Sequence, residues 1–492
     1  MIQYDAYEVV VGLEVHAQLL TESKLFCGDS ASFGGAPNTH ISPVTMAHPG
    51  SLPMLNKKAI EYAIKMGLAC NCTISRNNYF ARKNYFYPDL PKGYQISQHT
   101  TPICEGGHIS ITTSEGTRAV KLNRIHMEED AGKSLHDVDD DYTCVDLNRA
   151  GVPLIEMVTE PDLRSGEEAY AYLTEVRKLL RYLEVCDGNM EEGSMRCDAN
   201  ISIRKKGDTK LGTKVEVKNL NSIRNVKRAI EWEAKRLIEL VEAGSPIIQQ
   251  TRSFDATNGT TFALRTKEEA NDYRYFADPD LTPFRISEEM LKSIQEQLPE
   301  LPEQKIQRYQ SAFGLPEYDA RVICDEKETS TYFEAILSAL PPNASKESNT
   351  TRAKAAANWI LGPIKSWLND NSLSIFNFEL PAASIASLIS LIEEGKLNFS
   401  VASSRVFPAL IKDPKAIPLE MATNMNLIQV SDEGDVANWV DQVLNSMPDK
   451  VAEYKKGKKG LIGLFVGEVK KISKGKADPK ITNDLLLKKL QS

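Results

Sequence analysis

No apolar run in this chain is long enough to cross a bilayer. The longest uncharged apolar stretch, Leu380 to Ile392, is short and serine-rich, whereas a spanning helix needs ~20 apolar residues. The opening residues, MIQYDAYEVV, include acidic side chains and no basic cluster, so no secretory leader and no membrane association are expected. No two cysteines form a CxxC pair, which removes the commonest zinc signature. Neither GxxxxGK[ST] nor GxGxxG occurs, so a P-loop and a Rossmann crevice are unsupported. Cysteine is sparse, 8 in 492 residues at irregular spacing, and free thiols in a reducing, cytoplasmic compartment are expected. Histidine is sparser, with all 7 before residue 137, so site chemistry is weighted to the N-terminal part. A net charge of −8 argues against bulk nucleic-acid affinity but leaves room for a local basic surface.

The length allows two to four domains, and 41% hydrophobic with 26% charged residues is ordinary soluble composition. The chain is organised around a strand at its start. Val9, Val11, Leu13, Val15, Ala17 and Leu19 share one face, and Gly12, Glu14, His16 and Gln18 share the other. Same-face neighbours lie ~7 Å apart, a spacing that lets Glu14 and His16 serve one cation. A solvated polar face is the alternative. Gly12, one step before Glu14, would let a ligand approach the backbone.

Leu25 to Pro53 reads as a long loop, and Asn56 to Cys70 as a helix capped by Asn56. Tyr79 to Gln98 crowds aromatic rings among Arg82, Lys83 and Lys92, as suits stacking on a base, or equally an aromatic core under a proline turn. Further strands are expected over Val120–Asp130, Val152–Val158, Met195–Arg204 and Lys214–Lys218. Helices follow from a capping box at Ser165–Glu168 and over Ile223–Val241. The result is a sheet with one apolar face under helices and a polar face lined by Glu14, His16, Glu128, Asp198 and Glu216. Acidic ligands with one imidazole and no thiolate suit magnesium.

Composition changes after Asp278-Pro-Asp280. Leu298–Pro302 reads as a linker, and the remainder is helical, with loops such as Pro341–Ser345. From Val451 onward there are 11 Lys against 4 acidic residues. Lys458, Lys459, Lys470, Lys471, Lys474 and Lys476 cluster beside small residues, either as a solvated face or as a phosphate-binding surface.

Several strings carry a resemblance: VGLEVHAQL (11–19), YFYPDLPKGYQISQ (85–98), HMEEDAGKS (126–134), NRAGVPLIEMVTEPD (148–162), EEGSMRCDANIS (191–202), VEVKNLNS (215–222) and GLIGLFVGEVKKISKGKADP (460–479). They resemble GatB, the tRNA-modifying component of glutamine-dependent aspartyl/glutamyl-tRNA amidotransferases, and they span nearly the whole chain. The resemblance implies an α+β fold: a cradle on a mainly antiparallel, glutamine-synthetase-like sheet over 1–294, a helical domain over 295–408 and a YqeY-like tail over 409–492, with YqeY similarity starting as early as 332. It implies a ligase that uses ATP and magnesium to phosphorylate the misacylated side chain of Asp-tRNA(Asn) or Glu-tRNA(Gln). Ammonia made by a partner amidase, the A subunit, then displaces the phosphate, and a small C subunit completes a heterotrimer.

Carried over residue by residue, the family's magnesium ligands fall on Glu14, His16, Glu128 and Glu216, with Glu129 beside them as a further catalytic residue; Asp198 is added from strand alternation. Lys83, Tyr85 and Lys92 fall in the region of the ammonia route. Where many members carry CxC and CPxC for zinc, this chain reads Cys27-Gly-Asp29 and Ser42-Pro-Val-Thr45, so no zinc is expected. Ala277 replaces a proline common in YRYFPEPDL. No N-terminal Cys, nucleophile elbow or Gly-Gly-Ser-Ser string supports a glutaminase in this chain. The rival reading is a non-catalytic tRNA-binding scaffold with structural acidic residues.

Overall fold

The computed structural model describes residues 3–266, 272–342, 346–429, 433–473 and 476–491. Positions 343–345 of the expected loop and Lys474 lie outside these. The chain forms two compact units, 1–302 and 303–492, so the Leu298–Pro302 segment ends the first.

The first unit is built on a 13-stranded sheet. Ten strands form its continuous path: β1 (Tyr7–Gln18), β2 (Ala81–Asn84), β3 (Tyr94–Ser97), β4 (Gly116–Glu129), β5 (Pro153–Thr159), β6 (Met195–Lys205), β7 (Val215–Lys218), β8 (Gln250–Asp255), β9 (Thr260–Thr266) and β10 (Phe276–Ala277). The spatial order is β9-β8-β7-β6-β1-β5-β4-β3-β2-β10. β7 and β8 run parallel, and the other pairs on the path are antiparallel. The fold is therefore α+β on a mixed, mainly antiparallel sheet.

β1 lies fifth of the ten strands on this path and turns its apolar residues to one face and its polar residues to the other. Val11, Leu13, Val15 and Ala17 are fully buried, and burial of each larger side chain contributes about 1.5–3 kcal/mol. A one-residue slip would exchange them for Glu14 and His16, so the register is strongly fixed. The apolar face is covered by α1 (Lys57–Ala69), α2 (Gly166–Tyr182) and α3 (Ile223–Glu242), which join one core with the strands. Asn56 caps α1 by accepting from Lys58 N. Ser165 caps α2 by accepting from Glu168 N, but the reciprocal half of the expected capping box is absent. Glu168 instead accepts from Arg164 N and pairs with Arg118.

The aromatic segment Tyr79–Gln98 contains the hairpin strands β2 and β3, which extend the sheet past β4. The loop after β1 is tied down by Lys24. This lysine is fully buried and donates to His40 O (2.7 Å), Leu147 O (3.2 Å) and Thr45 Oγ1 (3.4 Å). Nearby, Thr45 Oγ1 and the Cys27 thiol both donate to Asp29 Oδ2, at 2.5 and 3.3 Å. The positions associated with zinc through the resemblance thus include a hydrogen-bonded tie.

The second unit is helical. One core runs from Ile306 through Tyr309, Phe333, Trp359 and Phe407 to Ala422, past residue 409 where the tail is expected to begin. A separate cluster runs from Val436 to Leu490. Among the described residues no helix is long and apolar enough to cross a membrane.

Candidate active site

The pairing of β1 with both neighbours determines what its polar face presents. His16 lies opposite Glu156 on β5, and Glu14 lies opposite Asp198 on β6. One strand further out on each side, Glu156 pairs with His126 of β4, and Asn200 pairs with Glu216 of β7. The expected single ligand set therefore separates into two triads, a first of His16, Glu128 and Glu156 and a second of Glu14, Asp198 and Glu216. Within each, three ligand atoms lie within 4.8 Å of one another.

Glu156 is the site residue that strand alternation does not reveal. Its same-face neighbours are Leu154 and Val158, so β5 shows no polar stripe. The available signal is a lone carboxylate inside the otherwise apolar run PLIEMVT. His126, expected only as part of a strand face, also belongs to the site.

In the first triad, His16 Nε2 is 3.3 Å from Glu156 Oε2, and His126 Nε2 is 3.4 Å from both Glu156 Oε2 and Glu128 Oε1. Burial pushes the His126 imidazole towards neutrality, but Glu128 and Glu156 outweigh it and raise its pKa to about 9. His16 is raised for the same reason: burial opposes the charge and Glu156 favours it. Burial would raise Glu156, and the two histidines hold it well below the usual carboxylate range. Because ligation needs the neutral ring, a cation and the His16 proton exclude each other.

The second triad has a different countercharge. Lys218 Nζ contacts Asp198 and lies 3.2 Å from Glu216 Oε1. Glu14 is not paired with this lysine, and burial together with Glu156, Asp198 and Glu216 raises its pKa. Asn200 Nδ2 donates to Glu14 Oε1 at 3.0 Å, and Thr251 Oγ1 donates to Glu216 Oε2 at 2.8 Å, which orients both carboxylates. Crowded carboxylates, with a single imidazole contributed to the expected ligand set, are the donors of a hard divalent cation.

Glu129, expected beside the ligands, is in neither triad. It is buried and takes Lys92 Nζ at 2.7 Å and Ile96 N at 2.9 Å. Gln95 donates to Glu129 O and accepts from the Tyr85 hydroxyl, so Tyr85, Gln95, Glu129 and Lys92 form one polar chain. A cavity of about 230 Å³ lined by Lys92, Glu129, Asp130 and Thr45 opens beside it. Lys83 Nζ lies 5.1 Å from the Tyr273 ring centroid and 5.7 Å from that of Tyr85. Burial lowers its pKa, and Glu128 with other neighbours raises it above the ordinary value. Asp130 anchors the end of β4 by accepting both Arg196 Nη atoms and Gln18 Nε2.

Both triads lie in a chain whose residues 9–292 match the family described as the GatB/GatE catalytic domain and whose residues 343–490 match the GatB domain. The chain belongs to the GatB family. Curated relatives carry the name of the B component of aspartyl/glutamyl-tRNA(Asn/Gln) amidotransferase. That of Thermodesulfovibrio yellowstonii is 48% identical over 99% of both chains. That of Chlorobaculum tepidum is 49% identical over 98% of both, and that of Geotalea daltonii 49% over 99% of both. GatB similarity thus covers both triads and the C-terminal lysines.

Among those lysines, Lys458 pairs with Glu453 at 3.0 Å and Lys471 with Glu468 at 3.7 Å. Lys459 lies over the Tyr454 ring at 4.4 Å, and Lys476 donates to Asn426 Oδ1. Lys470 is exposed in the last turn of the helix Ile462–Ile472, where a cation is favoured by the helix dipole. Cys70, Cys72, Cys104 and Cys197 are not poised as nucleophiles. Burial raises the pKa values of Cys70, Cys104 and Cys197 well above the usual thiol range and that of Cys72 to about 12.

Proposed function

We propose that this chain is the transamidating component of an ATP-dependent amidotransferase acting on misacylated Asp-tRNA(Asn), Glu-tRNA(Gln) or both. The observation that carries this reading is the pair of carboxylate-rich triads on one sheet face, in a chain homologous along its whole length to named amidotransferase components. The cradle is read as glutamine-synthetase-like, followed by a helical part and a YqeY-like tail.

His16, Glu128 and Glu156 would hold one magnesium ion, and Glu14, Asp198 and Glu216 a second. When bound, these cations supply the charge that offsets phosphate oxygens during phosphoryl transfer. A carboxylate resists ammonia because its leaving group would be oxide. Phosphorylation of the aminoacyl side chain by ATP makes that group phosphate. Asn200 and Thr251 keep Glu14 and Glu216 oriented. Lys218 screens the second triad, and the acyl phosphate must be kept from water if ammonia is to reach it first.

Ammonia attacks the acyl carbon and phosphate departs, leaving the amide. The cavity beside Lys92 and Glu129, together with Tyr85 and Lys83, is the proposed ammonia route. The ammonia comes from an amidase, the A subunit, and a small C subunit completes the heterotrimer in the cytoplasm. The Cys27/Asp29/Thr45 tie replaces zinc. Lys458, Lys459, Lys470, Lys471 and Lys476 are read as tRNA contacts.

Glu14→Gln in the assembled complex tests this. Loss of ATP-dependent amidation with tRNA affinity retained is expected. Intact amidation with weakened tRNA binding would instead identify a scaffold.

A further inference from the structure

The ladder between β1 and β5 is broken beside the second triad. It runs in register from Gln18 opposite Leu154 to Glu14 opposite Val158, and the next bridge joins Val11 to Leu163. Between these points β1 advances by Gly12 and Leu13 alone, whereas the facing segment takes a detour through Thr159, Glu160, Pro161 and Asp162. Proline has no N–H to give to a ladder. The detour is fastened to β4 instead. Glu160 N donates to Lys121 O at 2.9 Å, Lys121 N donates to Asp162 Oδ2 at 3.1 Å, and Asn123 Nδ2 donates to Glu160 Oε1 at 2.8 Å.

A detour of this kind strands a donor. The odd-numbered residues from Val11 to Leu19 turn their N–H groups to this side: Leu19 N donates to Pro153 O at 2.8 Å and Val11 N to Leu163 O at 2.9 Å. Leu13 lies between them and is fully buried, so water cannot serve its N–H. A side chain does so: the hydroxyl of buried Thr159 accepts from Leu13 N at 2.9 Å.

The residue next to this tie is Glu14. On one side β6 holds it opposite Asp198, and on the other its partner Val158 is the last of the continuous β5 ladder. Asn200 orients the Glu14 carboxylate, and the Leu13 tie fixes the backbone that carries it. A ligand constellation tolerates displacements of only ~0.5 Å. The first triad has no such dependence, because His16 faces Glu156 within the unbroken part of the ladder.

We propose that Thr159 is a positioning residue for the second triad: its hydroxyl holds Leu13 N where β5 has left β1, and so keeps Glu14 beside Asp198 and Glu216. The proposal rests on the reading of that triad as a cation site and adds what holds its central strand in place.

The test uses the full chain purified with its partner subunits, with Mn²⁺ binding followed by electron paramagnetic resonance. Glu156→Gln removes the first-triad site, so the site left in that background reports the second triad. There, adding Thr159→Val should weaken Mn²⁺ binding by about tenfold or more, and Thr159→Ser should stay within about twofold of the parent. With Glu156 intact, the first-triad site should keep its affinity in Thr159→Val. If Thr159→Val fails to fold, Thr159→Ala takes its place, since it removes the acceptor without setting a methyl group against Leu13 N, and the same weakening is expected.

Unchanged Mn²⁺ affinity at the second triad in whichever variant folds overturns the assignment and leaves the cation reading in place. Thr159→Ser as weak as Thr159→Val also overturns it, because the hydroxyl would then not be the working group. Equal weakening of both sites, or loss of folding in both Thr159→Val and Thr159→Ala, overturns it too, since Thr159 would then serve the sheet as a whole. Failure of the unaltered complex to bind Mn²⁺ at the second triad removes the cation reading itself and this assignment with it.

Discussion

At the scale of single residues, the site divides into what strand periodicity exposes and what it hides. Glu14, His16 and Asp198 were legible because each alternates with buried apolar residues along its strand. Glu156 was not, because Leu154 and Val158 flank it on its own face. Its importance comes from cross-strand register with His16 and His126, which sequence spacing alone does not specify. Glu156→Gln should reduce amidation by about 100-fold while tRNA affinity stays within about twofold, and titration with Mn²⁺ should show one binding site fewer. Two undiminished Mn²⁺ sites would place Glu156 outside the ligand set. Lys24 is a different case, a buried cation satisfied by two carbonyls and a hydroxyl. Lys24→Met should cost about 2–4 kcal/mol in chemical denaturation, and the loop from Leu25 to Pro53 should be cut faster by protease.

At the scale of elements, long segments with one clear period were readable and composite ones were not. β1, β6 and α3 lie close to their expected limits because a single period runs through each. β2 and β3 were obscured because Tyr79–Gln98 mixes aromatic, basic and proline residues. Their strand character comes from pairing with each other and with β4, a tertiary effect.

In the helical unit, the helix Lys327–Ala339 carries Glu334, which accepts from Lys305 at 2.6 Å and Tyr309 at 2.7 Å and contacts Arg308. Burial would raise its pKa, but these partners hold it below the ordinary glutamate value. A depressed carboxylate contributes stability above its unfolded pKa and loses it as pH falls through the folded one. Glu334→Gln should therefore destabilise the second unit by about 1–2 kcal/mol at pH 7. The gap to the unaltered chain should close as melting is measured from about pH 4.5 downward. A gap independent of pH would show that the charge of Glu334 is not what these donors hold.

At the scale of the whole molecule, an acidic chain carries a local lysine excess in its last segment and a carboxylate face in its first. The linker at Leu298–Pro302 was legible and ends the first unit, whereas the composition break after residue 280 falls inside that unit, where Leu281, Ile286 and Ile294 join its core. The limits of the two helical cores were not legible, since helix follows helix without a change of period. The core containing Phe407 and Leu410 extends to Ala422. Removing residues 433–492 therefore takes away the last cluster without opening the preceding one. That truncation should weaken tRNA binding and flatten its dependence on salt concentration, and an unchanged salt slope would count against tRNA contact by the tail lysines.

The central claim is that the two triads serve phosphorylation of an aminoacyl carboxylate attached to tRNA. It is tested most directly by following phosphate release from γ-labelled ATP by the assembled complex, with glutamine and ammonium both withheld. The account predicts ATP cleavage that requires misacylated tRNA, is absent with uncharged tRNA, and is lost in Glu14→Gln although that variant still binds tRNA. ATP cleavage indifferent to the charging state of the tRNA, or unimpaired in Glu14→Gln, would contradict it.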